Sequence, residues 1–207
     1  MRTVLHFVPY ASAEMLRKAL LLKADALVLD LEDSVTPDNK DSARTTIVDW
    51  LKLVDFGPRE RIVRINALDS EWGATDVEVT MAGRPDGYLV PKSGDVGELR
   101  DLDERISSLE RRYGYSAGSV RHFPIIETPN GVLNVREIAQ CPRIVAICGG
   151  RGGLDMAAAL GAWRVRDDRG ELLEIVRMNP LLPRCQTCAV GQFENCRSSG
   201  VGNLESA

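Results

Sequence analysis

Apolar residues in this chain fall into two alternating rhythms. Residues 4–9, 26–30, 61–66, 87–91, 122–126 and 143–147 are short runs rich in branched side chains, bounded by charged or turn-forming residues, and each predicts a strand. Between them the spacing becomes helical. Ser12 precedes Met15, Leu16, Ala19 and Leu20, which share a helical face, so it predicts an N-cap. Thr36-Pro37 and Thr128-Pro129 each pair a capping residue with a proline at the first helical position. Leu99, Leu102, Ile106 and Leu109 form an apolar stripe opposite Arg, Asp and Glu side chains, and Gly114 supplies a stop, which predicts an amphipathic helix over residues 95–113.

Strands alternating with helices over short connections imply parallel strands joined by right-handed crossovers, in either a barrel or a doubly wound sheet. The polar residues choose between them. Nearly every strand ends in a charged or turn-forming cluster: Asp30, Glu32 and Asp33 after the second, Asn66 and Asp69 after the third, Lys92 after the fourth, Glu127 after the fifth. A barrel gathers such ends around one mouth. A doubly wound sheet would concentrate its chemistry at one crevice and usually carry a glycine-rich loop after the first strand, and residues 8–12 are no such loop. The fold class read here is α/β, a (β/α)8 barrel of the TIM type, apparently truncated to about six β/α units. Residues 1–178 form the incomplete barrel domain, with a charged turn at 164–170 and a short helix at 171–177, and residues 179–207 read as an irregular or disordered tail.

Composition narrows the function. With 207 residues, 44% of them apolar, the chain can bury one sizeable core. A formal charge of -4 with no basic stripe argues against a nucleic-acid partner. The apolar start is too short for a signal peptide or a membrane span, so a cytoplasmic protein without a membrane partner is expected. Five cysteines are an odd number, against a disulfide scaffold. Cys141 and Cys148 read as small buried hydrophobes, and Cys185, Cys188 and Cys196 lack the fourth ligand of a zinc knuckle.

Two acids carry the candidate chemistry. Glu127 and Asp155 each follow an apolar run that reads as a buried parallel strand, and two carboxylates at such strand ends suggest a magnesium site with coordination positions left for water and substrate. Arg64 stands inside the apolar stretch 62–65, where burial is costly unless an anion meets it. That anion is either a substrate carboxylate or an internal partner such as Glu32 or Asp33. Those two acids in turn are either groups that hold metal-bound water or plain strand-end charges. Lys92 either balances an acidic mouth or is simply solvated. His6 and His122 read as core histidines rather than metal ligands. The glycines of 149–153 suit a tight bend beside Asp155.

The runs at 29–35, 63–69 with Trp72-Gly73, 89–92, 125–128 with Gly131-Val132, and Asp155 before 157–161 together resemble the HpcH/HpaI aldolase and citrate lyase family, most closely its citrate lyase β-subunit-like CoA-ester lyases. The match spans about residues 2–162, in order and at compatible spacing. The resemblance implies a magnesium-dependent lyase that breaks or forms a carbon–carbon bond, using an acyl-CoA or acyl-carrier-protein thioester (citryl, malyl or citramalyl) and a 2-oxo acid. It assigns the metal to Glu127 and Asp155, substrate contacts to Arg64 and Glu127, and catalytic support to Arg64, Glu32 and Asp33. The competing reading is an inactive barrel subunit that keeps magnesium and oxo-acid binding. An aldolase acting on free pyruvate is disfavoured, because that branch has a histidine where Asp33 stands.

Three departures from the family stand out. Residues 9–12 lack the usual glycine and basic residue, Leu154 occupies a position that is often acidic, and only six of eight strands are legible. The chain thus reads as a truncated member. An unclosed barrel exposes sheet edges, so a homo-oligomer is expected.

Overall fold

The computed structural model describes residues 4–9, 12–149, 154–160, 162–166 and 172–177. The chain divides into two units, Met1–Ala159 and Leu160–Ala207.

In the first unit the strands are β1 (Leu5–Val8), β2 (Ala26–Asp30), β3 (Glu60–Arg64), β4 (Gly87–Val90), β5 (Arg121–Ile126) and β6 (Cys148–Gly149). All neighbours pair in parallel, and their order across the sheet is their order along the chain. A doubly wound sheet would reverse direction at a switch point. This sheet steps one way throughout and curls into six strands of a (β/α) barrel, as expected.

Alternation along each strand explains the curl. Leu27, Leu29, Val63, Tyr88 and Val90 face outward into a core shared with Leu16, Ala19, Ile47, Leu51, Leu99, Leu102 and Ile106. Ala26, Val28, Ile62, Leu89, Phe123 and Ile125 face the other way and pack among the strands themselves. Because both faces are buried, β2 is inaccessible at all five positions, and it reads in sequence as a continuous apolar run. Gly87 belongs to the inner layer. A Cβ there would lie 2.6 Å from Phe123 Cε2, so the missing side chain is what admits the Phe123 ring.

The outer helices are α1 (Ala13–Leu20), α2 (Lys40–Leu53), α3 (Gly73–Thr80), α4 (Val96–Tyr113), α5 (Pro129–Ile138) and α6 (Leu154–Leu160). Ser12 caps α1, Asp95 caps α4 with Gly114 left-handed at its end, and Thr128 caps α5 through the Gly131 amide. Thr36 does not cap. Its hydroxyl accepts from the Asn39 side chain at 2.8 Å, and a 3-10 turn, Pro37–Asn39, precedes α2.

Two expected elements are corrected. The sixth strand does not occupy 143–147: β6 is only Cys148–Gly149, with one isolated bridge between His122 and Ile144. Arg143 is the cause. It adopts φ 65 and sends its guanidinium to Asp103, Ser107 and Glu110 of α4 and to the Val120 carbonyl, a conformation that no strand accommodates. In the second unit the short helix expected at 171–177 is instead the strand β8 (Leu172–Arg177), paired antiparallel with β7 (Ala162–Arg166), which takes in 164–166 of the expected charged turn; residues 167–170 of that turn lie outside the described residues. Trp163, Val165, Ile175 and Val176 favour strand over helix, and the small apolar content of a six-residue segment fits either period. Residues 179–207, read as a tail, lie outside the described residues, as do Cys185, Cys188 and Cys196. No described helix is long and apolar enough to cross a membrane.

Candidate active site at the barrel mouth

Parallel strands in sequential order bring their carboxyl ends to one face. Asp30 and Arg64 are the last residues of β2 and β3 and stand in register. The Arg64 fork closes on Asp30 with Nε to Oδ1 at 2.7 Å and Nη2 to Oδ2 at 2.6 Å. Its remaining nitrogen, Nη1, reaches Glu32 Oε2 at 2.8 Å and Asp33 Oδ2 at 3.3 Å. Beneath it the Phe7 ring centroid lies 5.2 Å from the guanidinium carbon, a cation–π contact. Of the two readings of Arg64, the internal ion pair with Glu32 and Asp33 is present, and Asp30 joins it with two hydrogen bonds.

Burial and charge compete in these groups. Burial favours the neutral form of Asp30, but the Arg64 hydrogen bonds and charge outweigh it and hold the carboxyl below its usual range. Burial likewise opposes the charge of Arg64, and the surrounding acids reverse that, raising its pKa. At Glu32 burial prevails: its carboxyl is pushed up to about 7 although Arg64 and Lys92 both favour ionisation. Lys92 is raised, with burial opposing and Glu32 promoting its charge. The pair thus pulls in two directions, and the desolvation cost falls on Glu32, whose side chain is 8% exposed against 43% for Lys92.

Glu127 stands directly after β5. Its Oε1 accepts the Lys92 backbone N–H at 2.9 Å, and Lys92 takes φ 52 while its Nζ lies 3.4 Å from Glu32 Oε1. A left-handed lysine is strained, and here the turn aims one residue at two acids. Burial raises the Glu127 carboxyl, the Lys92 amide opposes that, and the Asp155 charge adds to it. Asp155, partly buried in the first turn of α6, also raises Lys92. Glu32, Lys92, Glu127 and Asp155 thus sit within electrostatic reach of one another. Among the described residues no group of three or more His, Cys, Asp or Glu side chains assembles as a metal cluster. Two hard carboxylates that leave room for water and substrate fit magnesium better than a softer metal.

A second layer lies under the mouth. Lys40, at the start of α2, is buried and bonded to Leu31, Glu32 and Asn66, while Asn66 bonds Asp76 and Asp76 pairs with Arg44. A cavity of about 220 Å³ opens beside it, lined by Glu32, Asp33, Lys40, Asn66, Trp72 and Lys92 among others. A larger hollow of about 670 Å³ lies at the amino-terminal ends of the strands, around Arg59, Arg61 and Arg121. Arg61 is matched there to Asp86, and the carboxyl-end acids are not part of it.

Of the five expected site residues, Glu32, Asp33, Arg64 and Glu127 lie at strand ends or the turns after them, and Asp155 lies in the first turn of α6. The sequence reading missed the part played by Asp30 and by Lys40. Asp30 left a signal, an acid ending a buried strand at the level of an arginine ending the next. His122 is fully buried with neither ring nitrogen bonded, and burial and the Arg143 charge push it down to about 4, so it is neutral. Most of the glycine stretch, 150–153, lies outside the described residues.

Six parallel strands in sequential order, with charged residues at their carboxyl ends, define the class as a (β/α)-barrel protein. The family model for HpcH/HpaI aldolase/citrate lyase matches residues 2–183, and the chain belongs to that family. It is 36% identical over 168 residues to a (3S)-malyl-CoA thioesterase of Cereibacter sphaeroides, covering 81% of this chain and 54% of the relative. It is 38% identical over 142 residues to citrate lyase subunit beta of Escherichia coli, covering 68% and 47%. The chain spans about half the length of these curated relatives. A citrate lyase beta subunit from M. tuberculosis, solved with oxaloacetate and magnesium, superposes with a TM-score of 0.63 at 26% identity, over 82% of this chain and 66% of that one.

Proposed function

We propose that this chain carries the metal and oxo-acid half of a magnesium-dependent carbon–carbon lyase that cleaves or forms a 3-hydroxy-acyl thioester such as citryl-, malyl- or citramalyl-CoA, or its acyl-carrier-protein counterpart. The observation that carries the reading is the coupling of Glu127 to Asp155 at one mouth, with Arg64 and Lys92 beside them. A similar protein solved with oxaloacetate and magnesium supports it.

In the cleaving direction the carbinol hydroxyl loses its proton and the bond to the thioester α-carbon breaks. The electron pair stays on that carbon as an enolate, the carbinol carbon becomes the oxo carbonyl, and the enolate takes up a proton. Glu127 and Asp155 would hold magnesium, which when bound supplies Lewis-acid polarisation of the oxo-acid oxygen. Arg64 binds the oxo-acid carboxylate. Asp33 is the exchangeable end of its ion cluster, since its contact is 3.3 Å and its side chain 72% exposed, whereas Asp30 is buried and doubly bonded. Glu32, poised at about 7, is the mouth acid suited to hold a proton at neutral pH.

A second reading follows from the same Arg64. Its nitrogens are already engaged by Asp30, Glu32 and Asp33, which leaves it less free to orient a substrate and favours a barrel subunit without turnover. A thioesterase among the similar proteins adds a third outcome, hydrolysis. Incubation with malyl-CoA and magnesium separates them. Acetyl-CoA with glyoxylate is the expected product pair, free CoA with malate would mean hydrolysis, and malyl-, citryl- and citramalyl-CoA all left unchanged would overturn the catalytic reading.

A further inference from the structure

The helix that follows the Glu32–Asp33 turn opens with a cation in the wrong place. Lys40 is the first residue of α2, where the helix dipole disfavours positive charge, and it is 4% exposed, where desolvation disfavours it again. Burial lowers its pKa, with Asp76 the leading opposing charge. What offsets these costs is complete satisfaction. Nζ donates to the Leu31 carbonyl at 2.6 Å, the Glu32 carbonyl at 2.8 Å and Asn66 Oδ1 at 2.7 Å, so all three ammonium hydrogens have acceptors. A neutral amine has only two N–H bonds, so this geometry belongs to the charged form.

We propose that Lys40 is a positioning residue for the mouth: its ammonium clamps the turn after β2 by two successive carbonyls and thereby fixes where Glu32 and Asp33 stand against Arg64. The inference rests on the proposed lyase reading for its catalytic consequence only. The clamp is anchored from behind. Asn66 also donates to the Leu31 carbonyl at 3.1 Å and, with both its backbone and side-chain N–H groups, to Asp76 Oδ2 at 2.7 Å, while Arg44 Nε meets Asp76 Oδ1 at 2.7 Å. On the other side, the Trp72 ring centroid lies 5.1 Å from Nζ. Within the turn, the Val35 N–H reaches the Glu32 carbonyl at 3.2 Å and the Glu32 N–H reaches Asp30 Oδ1 at 2.9 Å, while the Glu32 and Asp33 side chains are tied to Arg64. Lys40 touches neither the open mouth nor Arg64 through any of these bonds, so it acts through Glu32 and Asp33.

The test compares Lys40→Met with the unaltered full chain by residue-resolved amide hydrogen exchange and by steady-state cleavage of malyl-CoA. Lys40→Met removes all three Nζ hydrogen bonds, an effect read as roughly tenfold or more. Amides of residues 32–35 should exchange about tenfold or more faster while those of β2 keep their protection, and kcat should fall by at least about tenfold with KM within about threefold. An unchanged turn, or protection lost evenly through β2 and α2, would mark Lys40 as an ordinary core residue and overturn the proposal. If the unaltered chain cleaves no thioester, the lyase reading fails while the exchange result still decides Lys40. Should Lys40→Met not fold, Lys40→Gln, which retains two donors, is read by the same two measurements.

Discussion

At the scale of single residues, the mouth is a contest between burial and pairing, and Glu32 is where burial prevails. A carboxyl raised in the folded state binds its proton more tightly there than in the unfolded chain, so its contribution is full below the unfolded value near 4.5 and is lost as pH rises through about 7. Glu32→Gln removes that loss. Without added magnesium, the variant should gain stability relative to the parent as pH rises from 5 to 8, read from urea midpoints on the order of 1 kcal/mol apart at the upper end; a pH-independent difference would contradict the assignment. At the proposed metal, Glu127→Gln and Asp155→Asn should each weaken magnesium binding by on the order of 100-fold with the fold intact, measured by calorimetric titration and circular dichroism. Glu32, Asp33 and Glu127 stood out in the sequence as charges just after apolar runs, and Arg64 as a charge inside one. The identity of Arg64's main partner was not legible there, because Asp30 lies inside the run that defines the strand, and register between strands is set by packing rather than by local pattern.

At the scale of elements, the barrel positions its acids through close approaches. A Cβ at Gly131 would lie 2.4 Å from the Ser93 carbonyl oxygen, so α5 can sit this near the turn that carries the Lys92 amide to Glu127 only without a side chain. Gly131→Ala should therefore cost about 1–3 kcal/mol despite its better helix propensity, seen as a lower melting temperature, and should weaken magnesium binding with it. Arg143 is the corresponding anchor at the other end of β5. Its partner Glu110 is 1% exposed and is held down to about 2, where burial is outweighed by Arg143 and by the amides of Val120 and Gly118. Arg143→Met leaves that charge unpaired and should destabilise by about 3 kcal/mol or more by urea denaturation. The first five strands and the caps at Ser12 and Thr128 could be read from sequence because period, length and capping residues agree, whereas Thr36 opens a 3-10 turn without capping it. The sixth strand could not. Residues 143–147 have strand composition, yet a tertiary ion cluster holds Arg143 in a left-handed conformation, and 171–177 carried no period long enough to tell strand from helix.

At the scale of the molecule, the sequential order of six parallel strands gathers distant residues at one opening; alternation of elements implied parallel strands, and the polar residues at nearly every strand end pointed to the barrel order. The same curl leaves apolar surface uncovered. Val4 and Phe7 on the β1 side are 46% and 41% exposed, and Val145 and Ile147 on the β6 side 40% and 38%. Edges of this kind are normally paired or covered. Self-association is the expected outcome, measured by light scattering at micromolar concentration, and a clean monomer would contradict it.

The central claim is that Glu127 and Asp155 grip one divalent ion in front of Arg64, and calorimetric titration of oxaloacetate with and without magnesium tests it most directly. The account predicts saturable oxo-acid binding that requires magnesium and is abolished by Glu127→Gln and by Arg64→Met. Binding that is indifferent to magnesium, or that survives both substitutions, would contradict it.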